Sequence, residues 1–319
     1  MKLTAARLTQ LLGRPVDRFV IKSLGLFSSK VSRLEVTVEN DPEPQHFILK
    51  EPHPERGDRF GESFAMEARF CREVGPALPV RVPTCLAAGE DFIVLEEVDH
   101  QPFSWQQGAT DLHAASAMDA LHALHQIRDE HVPGWIPAFA DPDCQSALSE
   151  RYLEGWTRHA DALCRWCPEF EPAGEHLASH SAEHYAALGA SGTLLHGDAH
   201  LENIPLTAEP GATTEVVFFD WQGPRCGEPL FDIAYFNVLS FPVAARRAKE
   251  WGLLERYLAH EPRLSEQTAY RHGVAARASG IVEMTADWLP GQIDNPELGW
   301  VVNRCFRAAV DHRVQELIA

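Results

Sequence analysis

Hydrophobic and polar residues alternate along much of the first hundred residues of the chain. The alternation runs through the segments DRFVIKSL, VSRLEVTVE and QHFILK, which are separated by the turn sequences GLFSSK and NDPEP. A period of two residues is typical of strands, so residues 17–50 are expected to form consecutive antiparallel strands. Helical spacing follows over residues 59–74, and the apolar run FIVLE predicts a further strand over residues 92–96.

From about residue 108 the spacing of apolar residues changes to the helical period. Long helical patterns cover residues 108–130, 145–165 and 173–189, and several more follow residue 229. Only the short apolar runs GTLLH and EVVFFD interrupt them, and each is expected to be a strand that ends at a polar residue. We therefore predict an α+β chain, with a small lobe of sheet and one helix over residues 1–99 and a larger, mostly helical lobe over residues 100–319.

Composition and charge narrow the possible partners. The 319 residues carry a formal net charge of −18, which argues against binding to nucleic acid or to an anionic membrane, because both require a basic surface. Residues 1–99 contribute −3 of this charge and residues 100–319 contribute −15. The acidic second lobe either attracts a cationic small molecule or exposes acidic helix faces to solvent. The absence of any apolar run of about 18 residues predicts a cytoplasmic protein.

The segment TLLHGDAHLENIPL, residues 193–206, carries the most chemical information. An apolar strand leads into the turn that contains Asp198, and Asn203 follows five residues later. Asn203 and Asp220, the last residue of EVVFFD, supply oxygen atoms of the kind that a magnesium ion binds. Either Asp198 or Asn203 alone could simply cap a turn. Three oxygen donors at the ends of two apolar strands favour a site.

The order of these residues resembles a known family. His-Gly-Asp-x4-Asn, followed by a strand that ends in Asp-Trp-Gln, is the pattern of the aminoglycoside phosphotransferase and choline kinase superfamily, and DWQGPRCGEPLFDIAYF is similar to its ecdysteroid-kinase-like branch. The resemblance implies a bilobal, protein-kinase-like fold. It also implies transfer of the γ-phosphate of ATP or GTP to a hydroxyl of a small molecule, with Asp198 as the catalytic carboxylate and Mg²⁺ on Asn203 and Asp220. An antibiotic is one possible acceptor, which would make the protein a resistance enzyme.

The family pattern requires a lysine on the third strand and a glutamate on the helix of the first lobe. Lys50 ends QHFILK, the required strand, although a lysine there could also be a solvated surface residue. Glu67 lies about 20° from Phe60 on a helical wheel, within the apolar stripe of its helix. An unpaired carboxylate in that stripe would be costly, so we predict an ion pair between Lys50 and Glu67 that positions the nucleotide phosphates.

Further nucleotide contacts follow from the same resemblance. The turn GLFSSK is expected to cover the phosphates, with the hydroxyls of Ser28 and Ser29 as donors, although the family usually has a second glycine where Leu26 stands. FIVLEEV resembles the kinase hinge, whose main chain at Glu96 and Val98 would bind the nucleobase. His200 falls where related kinases place a lysine or histidine near the γ-phosphate.

Two other functions remain open at this point. A kinase-like protein could hold nucleotide without catalysis, although the motif residues are intact. A metallohydrolase could use His196, Asp198, His200 and Asp220 as ligands, with Asp232 as a further candidate, but Gly197 places the two histidines in a turn and not on one helix face. The resemblance instead gives His196 and Asp232 structural roles in the catalytic loop.

The identity of the acceptor is open as well. The acidic second lobe favours an amine-bearing substrate, whereas the ecdysteroid-kinase-like segment favours a neutral polycyclic or nucleoside-like alcohol. Conceivable contacts among the C-terminal helices are Trp156, Glu283, Asp287 and Trp288. The sequence does not fix the oligomeric state.

Overall fold

The computed structural model describes residues 3–26, 28–53, 58–208, 214–287 and 296–318. It separates into two compact units. The first comprises Met1–Gln101 and Pro205–Gly223, and the second comprises Pro102–Ile204 and Pro224–Ala319. The first unit thus ends two residues beyond the predicted lobe boundary, and it also includes a segment that the sequence pattern assigned to the second lobe.

A five-stranded antiparallel sheet and two helices form the first unit. In chain order they are α1 (Ala5–Leu12), β1 (Val16–Leu26), β2 (Ser29–Val38), β3 (Asp41–Pro52), α2 (Asp58–Glu73), β4 (Cys85–Ala88) and β5 (Ile93–Glu96). The strand order is β1-β2-β3-β5-β4. The predicted strands, the helix α2 and β5 are confirmed. The prediction of a single helix in this lobe was wrong, since α1 is a second one, and β4 was not predicted because CLAA lacks the β-branched residues that favour a strand in IVLE.

Buried and partly exposed side chains alternate along β2, and the buried ones form part of the core on one face of the sheet. Leu34, Val36 and Val38 are almost fully buried, together with Leu49 of β3 and Leu8 of α1. On the other side, Phe64, Ala68 and Cys71 of α2 pack against Ile93 and Leu95 of β5. Because α2 is fixed on the sheet by this apolar stripe, residue 67 in the same stripe lies against the sheet as well.

Backbone bridges and one ring contact attach residues 205–223 to the rest of the first unit. Val217 forms a bridge with Arg81, Thr207 forms one with His100, and the ring of Trp221 stacks on Phe70 at 4.2 Å. The prediction that EVVFFD is a strand was wrong, since only isolated bridges occur there. Val217 and Phe218 are fully buried, so their hydrophobicity reflects burial without a continuous ladder.

The second unit contains seven helices and one short two-stranded sheet among its described residues. They are α3 (Asp111–Leu124), α4 (Pro142–Cys164), α5 (Glu171–Leu188), β6 (Thr193–Leu195), β7 (Arg225–Gly227), α6 (Leu230–Ser240), α7 (Val243–Leu258), α8 (Leu264–Asp287) and α9 (Pro296–Asp311). Helix α8 packs against α4, α5, α6 and α9 and is therefore central. These elements confirm the predicted α+β class.

The strand β6 is fully buried and pairs antiparallel with β7. It delivers the chain directly into the turn that contains Asp198. In the described part of the chain, no helix is both long enough and apolar enough to cross a membrane.

Candidate active site

The turn after β6 is held by one buried carboxylate. Gly197 has a φ of +83°, a left-handed conformation that glycine adopts without strain. Asp232, in the first turn of α6, accepts hydrogen bonds from the backbone N–H of His196 at 2.7 Å and of Gly197 at 3.0 Å. Its Oδ2 also lies 3.1 Å from Nε2 of His125. Asp232 therefore fixes the backbone that presents Asp198.

The Asp198 carboxylate receives a hydrogen bond on each oxygen. Asn203 donates from Nδ2 to Oδ2 at 2.8 Å, and also to the Asp198 carbonyl at 3.0 Å. The phenol of Tyr235 donates to Oδ1, and Nε2 of His200 lies 3.5 Å from the same oxygen. The side chain of Asp198 remains 36% exposed, so a small molecule can reach it.

Sequence reasoning missed Tyr235. It lies three residues after Asp232 on α6, so the two side chains share one face of the helix. Asp232 on this face holds the backbone of the loop that contains Asp198. Tyr235, one helical turn later, donates a hydrogen bond to the Asp198 carboxylate. The spacing D-x-x-Y in EPLFDIAYF, after a strand that ends in His-Gly-Asp, is the signal that could have identified it.

The surroundings of Asp198 set its protonation state. Burial alone would raise the pKa of the carboxyl, but the positive charge and hydrogen bond of His200 and the hydrogen bond from Tyr235 outweigh it and hold the pKa below its usual range. The carboxylate is therefore ionised at neutral pH. A group in this state accepts a hydrogen bond from a hydroxyl readily but is a weak base.

In the first unit, Lys50 contacts two carboxylates. Its Nζ lies 2.6 and 2.7 Å from the oxygens of Glu67 and 2.6 Å from Oδ1 of Asp220. The ion pair predicted between Lys50 and Glu67 is thus present, and the contact with Asp220 is an addition that the sequence did not indicate. Asp220 has a φ of +60°, and Gln222 donates a second hydrogen bond to its Oδ1 at 2.7 Å.

The ion pair is nearly removed from water. Lys50 is 7% exposed and Glu67 is 1% exposed. Burial lowers the pKa of Lys50, but Asp220 and Glu67 reverse the effect and raise it above its ordinary value. Burial also raises the pKa of Glu67 to about 6, although Lys50 acts in the opposite direction. Lys50, Glu67 and Asp220 together carry a net negative charge when both carboxylates are ionised, because only one ammonium faces them.

Ser29 and Ser28 follow the end of β1. Ser29 is 2% exposed, and its Oγ has no hydrogen-bond partner among the described residues, whereas Ser28 is half-buried. The strands continue to Leu26 and resume at Ser29, so the predicted turn is shorter than GLFSSK, and Phe27 within it lies outside the described residues. The hydroxyl of Ser29 is therefore enclosed by protein, whereas the side chain of Ser28 is partly exposed.

The segment that resembles a kinase hinge follows β5. The backbone N–H of Glu96 donates to the carbonyl of Thr84 at 2.9 Å, and the side chain of Glu96 binds Arg81 and the N–H of Thr84. Only the carbonyl of Glu96 therefore remains for a nucleobase. Val98 is buried.

The predicted metal ligands have suitable donor atoms. Since Asn203 directs Nδ2 towards Asp198, its Oδ1 remains for a cation, and Lys50 and Gln222 bind only Oδ1 of Asp220, leaving Oδ2. An amide oxygen and a carboxylate oxygen fit Mg²⁺. Among the described residues, no group of three or more His, Cys, Asp and Glu side chains is arranged to hold a metal, so the hydrolase ligand set is not assembled there.

The residues suggested as acceptor contacts have different surroundings. Trp156 is 4% exposed and donates to Glu175 at 3.0 Å, which is core packing. Glu283 is buried and accepts a hydrogen bond from Tyr185. Trp288 and the side chain of Asp287 lie outside the described residues.

Solved structures with a similar fold include several phosphotransferases. A macrolide 2'-phosphotransferase from Brachybacterium faecium is 20% identical with a TM-score of 0.53, over 91% of this chain and 97% of that one. A putative fructosamine-3-kinase from Thermobifida fusca is 16% identical with a TM-score of 0.54, over 98% of each chain. An ethanolamine kinase from Plasmodium vivax is 12% identical with a TM-score of 0.57, over 92% of this chain and 85% of that one.

At these identities the structural likeness establishes the fold alone. A search of curated proteins found no match to this sequence. The model of one sequence family, described as the phosphotransferase enzyme family, matches residues 24–267, which is more than half of the chain. The order of motifs and this match agree, and the chain belongs to the phosphotransferase enzyme family.

Proposed function

We propose that the protein transfers the γ-phosphate of ATP or GTP to a hydroxyl of a small molecule, with Asp198 as the catalytic carboxylate. The observation that carries the proposal is the state of Asp198, which is ionised, held by donors on both oxygens and still accessible. A carboxylate in this state can accept a hydrogen bond from an acceptor hydroxyl and fix its direction. Positioning of this kind supplies much of the catalysis in phosphoryl transfer.

The low pKa of Asp198 is compatible with this role. In the loose transition state of phosphoryl transfer the attacking oxygen forms little bond, so its proton can leave late and a strong base is not required. Asp198 would orient the hydroxyl first and take its proton as the new bond forms. His200, beside the same oxygen, would stabilise the negative charge of the transferred group when it is protonated.

The first unit would hold the nucleotide. Lys50, kept in place by Glu67, offers an ammonium for the α- and β-phosphates, and the hydroxyls of Ser28 and Ser29 offer donors. The main chain at Glu96 and Val98 would bind the nucleobase, which leaves the choice between ATP and GTP open. Mg²⁺, held by Asn203 and Asp220, would neutralise phosphate charge.

The test is turnover by an Asp198→Asn variant. We expect kcat to fall by about 10² to 10⁴-fold, the usual contribution of a positioned acid or base, with the nucleotide dissociation constant unchanged. Asp161, an exposed carboxylate on α4, supplies the matched control, Asp161→Asn, which should retain wild-type turnover. A folded Asp198→Asn variant with wild-type kcat would remove Asp198 from the mechanism.

The acceptor screen should include macrolides, fructosamines and ethanolamine, which the names of the three neighbours give, and aminoglycosides, which the resemblance of the motifs gives. Phosphorylation of an antibiotic in this set would support a resistance function. Tight nucleotide binding without turnover on any hydroxylated compound would favour the alternative, a non-catalytic nucleotide-binding protein.

A further inference from the structure

An aromatic wall extends away from Asp198 within the second unit. We define the wall as His200, Trp105 and Trp300. The ring of His200 lies 5.4 Å from that of Trp105, and Trp105 lies 5.1 Å from Trp300, measured between ring centroids. All three side chains are half-buried and not sealed in the core. Each therefore keeps some ring surface that a ligand can contact.

Two buried guanidinium groups occupy the neighbouring ring faces. Arg304 lies 4.5 Å from the ring centroid of Trp300, and Arg277 lies 4.4 Å from that of Tyr235. Each is 6% exposed. Burial lowers the pKa of Arg304 to about 10, so the group is still positively charged at neutral pH.

Within the described residues, the charge of Arg304 has main-chain and aromatic partners and no acidic one. Its donors bind the backbone carbonyls of Leu239 and Trp105, and its plane lies on Trp300. The contacts described for Arg304 are thus with main-chain carbonyls and an aromatic ring, and none is with a described carboxylate. A cation placed against Trp300 would therefore meet the positive charge of Arg304, which already covers one face of that ring.

The wall also borders an open space. Trp300 and Arg304 line a cavity of about 440 Å³ together with Trp166 and Pro242. The cavity is a depression open to solvent, and aromatic side chains with few polar groups are typical of the lining of small-molecule sites. Trp300 belongs to both the wall and this depression, so a ligand on the wall can extend into it.

We propose that the wall binds the acceptor and that it selects an uncharged alcohol with a flat or apolar face over an amine-bearing alcohol. The inference rests on the proposed function, because it takes Asp198 as the point of phosphoryl transfer. The negative net charge of the chain favours a cationic acceptor, and so does the ionised Asp198 beside His200, but the charge beside the far end of the wall, at Trp300, is the positive charge of Arg304. Local charge at a few ångströms outweighs a distant, screened net charge.

The experiment compares matched pairs of compounds. A hydroxysteroid and naphthylethanol are each paired with the same skeleton carrying an added primary amine. Binding is followed by quenching of tryptophan fluorescence without nucleotide, and turnover is followed by nucleotide consumption. We expect the uncharged member of a pair to bind about ten-fold more tightly, the order of one lost stacking or charge contact.

Variants assign the effect to the wall. Trp300→Leu should raise the dissociation constant and KM of the uncharged compound about ten-fold, with the KM of the nucleotide unchanged. Trp105→Leu, on a different element, repeats the test if the first variant does not fold. Trp251→Leu is the matched control, because Trp251 is 40% exposed on α7 and contacts Tyr270 and His312 instead of the wall.

Three outcomes overturn the inference: preference for the amine-bearing members, binding of neither set by folded protein, or uncharged binding that Trp300→Leu and Trp105→Leu leave unchanged. Binding that depends on the wall, without turnover of any compound, would support the wall and contradict the proposed phosphoryl transfer. The failure of one proposal is thus distinguishable from the failure of the other.

Discussion

The phenol of Tyr235 donates a hydrogen bond to Oδ1 of Asp198, on the oxygen that His200 also approaches. The ring of Tyr235 is 9% exposed and stacks near His200 at 6.2 Å, so its position is fixed by packing. Asn203 holds the other oxygen at 2.8 Å. These donors restrict the carboxylate to one orientation, which is what a positioning group requires.

Tyr235→Phe should therefore weaken catalysis without unfolding the protein. Loss of one donor to an ionised carboxylate is worth about 1.5 to 3 kcal/mol, and we expect kcat to fall about ten-fold or more. The same donor lowers the pKa of Asp198, so its removal should raise that pKa and move the acid limb of the pH–rate profile to higher pH. Steady-state kinetics across a pH series measure both effects.

The control for this variant is Tyr152→Phe, which removes another buried phenol of the second unit. That hydroxyl donates to the backbone carbonyl of Gly174 at 3.0 Å and does not contact Asp198. An acid limb that shifts equally in both variants would contradict a specific effect of Tyr235 on Asp198.

The Lys50 to Glu67 ion pair predicts an asymmetric response to mutation. Lys50→Met leaves the carboxylate of Glu67, which is 1% exposed, without its ammonium partner. We expect the free energy of unfolding to fall by about 3 to 5 kcal/mol, the usual cost of breaking a buried pair. The double variant Lys50→Met, Glu67→Leu removes both charges and should recover much of this loss.

Urea denaturation of each variant measures its free energy of unfolding, and nucleotide titration measures its affinity for nucleotide. Neither variant should bind nucleotide as the wild type does, because both lack the ammonium. Equal free energies of unfolding for the single and double variants would show that Lys50 does not stabilise the buried carboxylate of Glu67. Nucleotide affinity that survives in the double variant would remove Lys50 from the phosphate site.

Some parts of the site could be predicted from sequence because local rules determine them. Glu67 lies in the apolar stripe of α2, and helix periodicity alone places its carboxylate against the sheet. Lys50 ends a strand whose alternation is clear. These two positions needed no knowledge of distant residues, and the structure brings the two side chains to 2.6 Å.

Other contacts could not be predicted because they join residues far apart in sequence. Lys50 meets Asp220 across 170 positions, and this contact depends on how the segment after residue 205 attaches to Arg81 and Phe70. EVVFFD was assigned to a strand because it is apolar, but burial and strand pairing produce the same pattern in so short a run. The wall residues, Trp105 and Trp300, lie on elements that are almost 200 residues apart.

Asp232 should be essential to the turn that carries Asp198. Asp232→Ala removes the acceptor of two backbone N–H groups, at His196 and Gly197, that lie at the end of a buried strand. Each unsatisfied buried donor costs about 1 to 3 kcal/mol, so we expect a loss of about 2 to 5 kcal/mol in the free energy of unfolding. Urea denaturation at neutral pH gives this value directly.

Asp232→Asn is the graded comparison. Its single amide oxygen can accept from one of the two N–H groups, so the loss should be smaller than for alanine. Turnover should fall in both variants, because Asp198 follows the disturbed turn. Stability that is unchanged in Asp232→Ala would mean that other acceptors replace the carboxylate.

The histidines between α5 and α8 predict a loss of stability in mild acid. His184 is fully buried, and its Nδ1 lies 2.9 Å from Nδ1 of His272. Burial, followed by the positive charges that His272, His176 and His180 would carry, lowers the pKa of His184 to about 3. Above about pH 6.5, the ordinary value for histidine, His184 is neutral in both the folded and the unfolded chain, and it contributes no pH dependence.

As the pH falls from about 6.5 towards 3, His184 becomes protonated in the unfolded chain but stays neutral in the folded chain. The free energy of unfolding therefore decreases. His184→Asn, whose amide can still bond to His272, should reduce this slope. His131→Asn is the control, because the side chain of His131 is 73% exposed. Urea midpoints at about pH 7.5 and pH 5 measure the slope for each protein. An undiminished slope in His184→Asn would assign the acid sensitivity to other groups, since a neutral amide in place of the imidazole cannot take up the proton.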